Sequence, residues 1–452
     1  MDGKNSSSWD QFWAKQSPLV KFLRENYFNR IFVSFLHKFS EKNESILEVG
    51  CGEASFSKYM DVYYGIDNCI TVLKKSKSKF LICGDATNLP IKDSSVDVVW
   101  SQGLIEHFDN EKNCINEMLR VSRKGVVGVV PSRLFVPWKV ISQLFPPIWP
   151  WMEQKFYSIQ ELNYLLLDYP VLQLKRLLLT LGLCIGFFVP KLSKRELREY
   201  YECEGSTGNR IDLMYHSPNR YRSWYHRRRK ELTEKELRLI VNNGSSYVEI
   251  GCGAGQFLKN LGGIKLSVGV DISRSYIGIA KMASPNSCYM VADAEFLPIK
   301  DNSFEVVGCM EVLEHVTNIK GVLMELRRIS RDKILITIPT EYGNPIFKIS
   351  RLLLGEWVEF MKGFNEPFKG HIHPLSASLA GELFRDNLGK LERIVPVHTI
   401  AISPIMFSLS NRYHVLNKIF RPLIAAGDFL EDLTSIFLKW WGISTIFVFK
   451  KQ

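Results

Sequence analysis

"YVEIGCGAG" at residues 247–255 repeats the pattern of "ILEVGCGEA" at residues 46–54: an apolar run, an acid, then a turn built on glycine. Each reads as a buried strand running into a tight strand-to-helix turn, because glycine lacks a Cβ and lets the backbone reverse sharply. Sliding the chain against itself by about 208 residues sets "GDATNLPIKDSSVDVVWSQGLIEH" (84–107) over "ADAEFLPIKDNSFEVVGCMEVLEH" (292–315), with about half of the positions identical. The period is too long for a solenoid unit and two copies are too few, so each copy is expected to be a complete domain with its own core.

Within each copy, short β-branched runs alternate with helix-like stretches. The first has "SILEV", "VYYGI", "KFLIC", "VDVVW" and "GVVGVV"; the second has "SYVEI", "LSVGV", "CYMV", "FEVVG" and "KILITI". Runs that are apolar almost throughout suit strands covered on both faces, and their alternation with helices implies a parallel sheet. The expected fold class is α/β: two consecutive Rossmann-like, doubly wound domains, each with a mostly parallel seven-stranded sheet. The boundaries are placed at 1–200 for the first domain, 201–230 for a basic linker or helix, and 231–452 for the second.

Composition agrees with two globular domains. The chain has 452 residues, 46% of them hydrophobic and 23% charged, enough to bury two cores. Nine cysteines occur without a CxxC pair, and no basic-then-apolar leader opens the chain, which points to a reducing, cytoplasmic setting. The longest apolar run, "LLLTLGLCIGFFVP" at 177–190, is shorter than the roughly 20 residues of a spanning helix and reads as buried strands, with a membrane-dipping element as the alternative. The net charge of +11 is concentrated at "RYRSWYHRRRK" (220–230). Leu232, Leu237 and Ile240 follow at helical intervals, so this reads as the solvated face of a helix entering the second domain; a phosphate-attracting surface is the other reading.

In a doubly wound fold, ligands bind beyond the carboxyl ends of the strands. The first turn there holds Gly50, Gly52 and Ala54 in one copy and Gly251, Gly253 and Gly255 in the other. The second strand ends in an acid, Asp67 or Asp271, suited to accept hydrogen bonds from both hydroxyls of a ribose. A third acid, Asp85 or Asp293, stands where an adenine amino group donates. These positions outline a nucleoside-shaped site. The dinucleotide fingerprint GxGxxG is absent, since its last position is Ser55 or Gln256, and each turn is instead preceded by an acid, Glu48 or Glu249.

On these residues, with "LIEHF" and "VLEHV" after the fourth strand, each copy resembles a class I S-adenosylmethionine-dependent methyltransferase of the type 11 group. The resemblance implies S-adenosylmethionine as cofactor. It places Glu48 and Glu249 near the methionine part, Asp67 and Asp271 at the ribose, and Asp85, Ala86, Asp293 and Ala294 at the adenine. It further implies methyl transfer to a small or lipid-like acceptor. Ala54 in place of a glycine makes the second copy the expected catalyst, with the first as a second catalyst or a binding domain.

Methyl transfer from a sulfonium needs alignment more than a catalytic side chain, so the catalytic residue is left unassigned. His371 and His373 of "GHIHP", and His315, are the candidates if a proton must be removed. No cysteine, histidine or carboxylate cluster accompanies the paired histidines, so no metal is expected. Two long aromatic connections, 132–155 and 340–370, suit lids over an apolar acceptor such as an isoprenoid, a quinone precursor or a lipid-linked glycan. Trp440 and Trp441, in an amphipathic stretch before the final strand, suit contact with a membrane surface. Nucleic acid is disfavoured as acceptor, because "SQGL" and "CMEV" stand where base-methylating enzymes carry an Asn/Asp-Pro-Pro-aromatic element. Oligomeric state is left open.

Overall fold

A computed structural model describes residues 24–133, 155–171, 173–177, 184–206, 220–259, 261, 263–340, 373, 375–397 and 444–451. Most of both expected lids, His371, Trp440 and Trp441 lie outside these residues. Backbone contacts divide the chain into two units, Met1–Leu192 and Ser193–Gln452. The helix Lys194–Ser206 therefore belongs with the second unit, although the sequence reading carried the first domain to residue 200.

In the first unit the strands are β1 (Ser45–Val49), β2 (Val62–Asp67), β3 (Leu81–Cys83), β4 (Val96–Gln102), β5 (Ser122–Pro131), β6 (Gln173–Arg176) and β7 (Cys184–Pro190). They form one sheet in the order β3-β2-β1-β4-β5-β7-β6. The first five are parallel; β7 runs antiparallel to both β5 and β6. The second unit repeats this with β8 (Ser246–Ile250), β9 (Leu266–Asp271), β10 (Cys288–Val291), β11 (Phe304–Met310), β12 (Ser330–Pro339), β13 (Gly389–Val397) and β14 (Ser444–Lys451), ordered β10-β9-β8-β11-β12-β14-β13. Each of the ten runs read from sequence contains a strand, and β7 lies in the long apolar run at 177–190.

Successive residues of a strand point to opposite faces, and in the first unit both faces are covered. Leu47, Val99 and Val126 pack with the helices Glu111–Val121 and Ile159–Leu165 on one side. Their neighbours Ile46, Val98 and Val127 pack with Phe32, Phe35 and Leu36 of the helix Asn29–Leu36 on the other. Full burial of each such side chain contributes about 1.5–3 kcal/mol. This is why the strands read as continuous apolar runs rather than alternating ones. In the second unit the basic stretch forms the start of a helix, Arg220–Ile240, and Leu237 and Ile240 are buried against β8, β11 and β14. Among the described residues no helix is long and apolar enough to cross a membrane.

Polar pins fix the strand register in both units. The Ser45 amide and hydroxyl donate to Asp97 at 2.9 and 2.6 Å, and the Asp97 amide donates back to the hydroxyl. Ser246 and Glu305 repeat the arrangement. The repeated "LPIKD" is held in the same way. Arg120 donates to the carbonyls of Leu89 and Ile91 and to Asp93 and Glu117; Arg328 donates to those of Leu297 and Ile299 and to Asp301 and Glu325. Much of the identity between the copies is thus the mould of a loop around an arginine. Arg328→Met removes hydrogen bonds from a charged donor and is expected to lower stability by about 2 kcal/mol; urea denaturation of the full chain measures it, and an unchanged midpoint would contradict the role.

Candidate functional site

The order of each sheet reverses at one place, between β1 and β4 or between β8 and β11, and open α/β sheets bind ligands in the crevice at such a reversal. The glycine turns lie on one side of it. Gly50, Gly52, Gly251, Gly253 and Gly255 all have positive φ, between +49° and +77°. A Cβ on Gly251 would lie 2.1 Å from Val312, and one on Gly50 would lie 2.9 Å from Leu104, so the segment after the fourth strand presses directly on the turn. Glycine is required there by backbone conformation and by space together.

The acid at the end of the second strand clamps the turn. Asp271 accepts from the Gly253 amide at 2.8 Å and from the Ser273 amide at 2.9 Å, one on each carboxylate oxygen. Asp67 does the same with Gly52 and Cys69, both at 2.9 Å. Each oxygen retains a second lone pair, so the carboxylate can shape the turn and still receive ribose hydroxyls. Burial raises the pKa of both acids, and the backbone donors oppose that rise.

The two copies differ at the acid before the turn. Glu249 is 2% exposed, and its Oε2 has no hydrogen-bond partner among the described residues. Burial, followed by the nearby charge of Asp271, pushes its carboxyl well above the usual range. A buried acceptor left without a donor is costly unless a ligand supplies one, and the ammonium of the methionine part of S-adenosylmethionine is a donor of the right charge. The residues present therefore fit the cofactor. In the first copy the Tyr63 hydroxyl donates to Glu48, and both side chains are buried. The position of Tyr63 in the sheet is taken by Ser267 in the second copy.

A second difference surrounds the last residue of the turn. Ala54 has φ of +58°, a left-handed conformation that glycine adopts at less cost. Gly255 packs on Ala280 of the helix Arg274–Ala283, where an added Cβ would come within 3.2 Å. The matching helix of the first copy is only the single turn Ile70–Leu73.

At the acids that sequence reading assigns to the adenine, the Asp293 carboxylate accepts from the Glu295 amide at 2.9 Å, and Asp85 accepts from the Thr87 amide at 2.8 Å. Ala86 is buried and Ala294 half-buried beside them. In the second unit a cavity of 280 Å³ opens here, lined by Ile272, Val291, Ala292 and Asp293, with Lys194, Arg195 and Arg198 on its rim. Lys194 reaches Asp293 at 3.2 Å and Glu295 at 2.7 Å. From the same helix, Glu202 accepts from the Arg274 and Ser275 amides and so caps the helix that follows β9. Sequence reasoning missed this helix, since its charged residues signal a solvated surface and nothing in their spacing names a partner.

The histidine candidates separate. The His373 side chain is buried, and its Nε2 donates to the Val316 carbonyl at 2.6 Å, which anchors the segment before the helix Ala377–Leu388. His315 is 29% exposed, with Glu314 at 3.7 Å and the Tyr201 ring edge-on at 6.0 Å. Its counterpart pair in the first copy contains Glu106, whose carboxyl is pushed up to about 8 by burial. Among the described residues no group of three or more His, Cys, Asp or Glu is arranged to hold a metal ion.

Both copies match the family model of a methyltransferase domain, over residues 47–130 and 248–336. An uncharacterized protein of Methanocaldococcus jannaschii is 33% identical over 150 residues, 33% of this chain and 53% of that protein. A ubiquinone biosynthesis O-methyltransferase of Burkholderia vietnamiensis is 29% identical over 178 residues, 37% of this chain and 74% of that enzyme. Among solved structures, a Haemonchus contortus phosphoethanolamine N-methyltransferase aligns over 94% of this chain and 98% of its own, at 14% identity and a TM-score of 0.37. The chain spans about half the length of the first curated relatives it matches. Each half of the chain thus carries a match to the methyltransferase domain, on a sheet of the same strand order.

Proposed function

We propose that the second domain binds S-adenosylmethionine and catalyses methyl transfer to a small, apolar acceptor, while the first serves as a diverged partner domain. The observation that carries this reading is the contrast between Glu249, whose buried Oε2 has no donor among the described residues, and Glu48, which already receives one from Tyr63. Glu249 would take the methionine ammonium, Asp271 the ribose hydroxyls, and Asp293 the adenine amino group. When bound, the cofactor supplies a methyl group on a sulfonium that departs as a neutral thioether. The chain contributes alignment: the glycine turn admits the ligand close to the backbone, and Asp271 holds turn and ribose in one frame. The quinone-biosynthesis relative supports a small acceptor of quinone-precursor type.

Two measurements test the reading. Calorimetric titration of the intact chain with S-adenosylhomocysteine should give one site, lost in Asp271→Ala and kept in Asp67→Ala; two sites in the wild type would make the first domain a cofactor binder as well. Transfer of labelled methyl into a cell lipid extract but not into total RNA is expected, and label in RNA alone would overturn the acceptor class.

The raised carboxyl of Glu249 also sets a pH dependence. A raised pKa means that the site is protonated before a cation arrives, whereas an ammonium selects the carboxylate. Binding of S-adenosylhomocysteine should then release protons and tighten as pH rises beyond the usual carboxylate range. Calorimetry in buffers of different ionisation enthalpy measures the release. Glu249→Gln should reduce it and weaken binding about tenfold or more; equal proton release in both proteins would sink the assignment.

A further inference from the structure

The proposed cofactor acids, Asp271 at the end of β9 and Asp293 just after β10, lie on one side of the crevice between β8 and β11. An acceptor is left the other side, at the carboxyl ends of β11 and β12 and the start of the antiparallel β14. Glu311 stands there, immediately after β11, with φ of +55°. The left-handed region is unfavourable for a glutamate, and such strain gathers where a side chain has work beyond the fold.

The Glu311 carboxylate is aimed by its surroundings. Oε1 accepts from the Thr337 hydroxyl at 3.0 Å and Oε2 receives the guanidinium of Arg229, while the Ser444 hydroxyl, which donates to the Ile338 carbonyl at 3.1 Å, lies 3.4 Å from Oε1. The Arg229 and Glu311 side chains are only 14% and 20% exposed. Each carboxylate oxygen has acceptor capacity beyond one partner, so a further donor can be received.

The first copy builds the same backbone without any of these groups. Gly103 occupies the place of Glu311 with φ of +64°, and its amide donates to the Val129 carbonyl at 3.0 Å, as that of Glu311 does to Thr337. The sheet registers match Thr337 with Val129 and Ser444 with Cys184. The spacing that separates Gly50 from Gly251 also separates Phe28 from Arg229. Phe28, Gly103, Val129 and Cys184 have thus been exchanged as a set against Arg229, Glu311, Thr337 and Ser444. A network needed only to hold this turn would be needed in both copies, and the first copy makes the turn with glycine.

We infer that Glu311 is the acceptor-recognition group of the second domain, receiving a hydrogen bond from an O–H or N–H of the methyl acceptor, and that Arg229 is its positioning residue. This rests on the second domain being the catalyst. A carboxylate that accepts only would separate an unmethylated hydroxyl or amine from an analogue without a donor, because the analogue leaves a half-buried charge with one partner fewer.

The test uses the full chain saturated with S-adenosylhomocysteine and two probe pairs: 4-nonylcatechol with its dimethyl ether, and 4-nonylaniline with its N,N-dimethyl form. The wild type should bind the donor-bearing member of at least one pair tenfold or more tightly. Arg229→Phe with Glu311→Gly, which transplants the residues of the first copy, should bring that ratio within twofold while S-adenosylhomocysteine affinity is kept. Glu311→Gly alone, a residue suited to the observed φ, serves if the double variant does not fold. An unchanged ratio in the variants, with or without a lower melting point, makes the network structural and overturns the inference, as does the absence of a preference in the wild type. If S-adenosylhomocysteine itself does not bind, the catalytic reading falls and takes this inference with it.

Discussion

The carboxylate at the end of the second strand is the constraint around which each domain is arranged. By accepting one amide from the glycine turn and one from its own following residues, Asp67 or Asp271 ties two adjacent loops into a single rim. The rim lies at the reversal of strand order, where backbone amides and carbonyls at strand ends are left without sheet partners and a crevice forms. The acid is therefore structural before any ligand arrives. Its burial raises the cost of its charge, and the two backbone donors offset that cost while lone pairs remain for a ribose.

Against this shared frame the two copies have moved apart at both ends of the crevice. At the glycine turn, the first copy closes its acid internally with Tyr63 and accepts a left-handed alanine beside a helix of one turn. The second copy keeps glycine against a full helix and a buried carboxylate oxygen that has no donor among the described residues. At the opposite end, the first copy places Phe28, Gly103, Val129 and Cys184, whereas the second concentrates charge and hydroxyls around Glu311. Duplication lets one chain hold these two solutions on one scaffold. The pins that hold strands and loops, Ser45 with Asp97 and Arg120 with its carbonyls, are repeated in the second copy because the scaffold depends on them.

Much of the fold was legible in the residues because parallel strands buried on both faces leave little choice but β-branched apolar runs. The site was legible where backbone geometry dictates residue type: glycine at positive φ, an acid that must reach a turn. Other roles were hidden because they depend on distance in space. Tyr63 lies fifteen positions from Glu48, and no pattern marks it as a lid on that acid. Arg120 and Arg328 read as surface charges on amphipathic helices until their carbonyl partners are seen. Arg229 belonged to a basic stretch whose bland reading, a solvated helix, describes its neighbours better than it describes the residue itself.

The sequence alone determined that this is a duplicated α/β protein with a glycine turn and a strand-end acid in each half, because strand period, glycine turns and strand-end acids are local features that one stretch of chain must encode. Only the tertiary structure decided which acid already receives a hydrogen bond, which helix borders the cavity at Asp293, and where the polar cluster gathers. Those outcomes depend on which side chains from distant strands and helices arrive within hydrogen-bonding distance. Contacts of that kind are set by packing across the sheet, and no spacing along the chain specifies them.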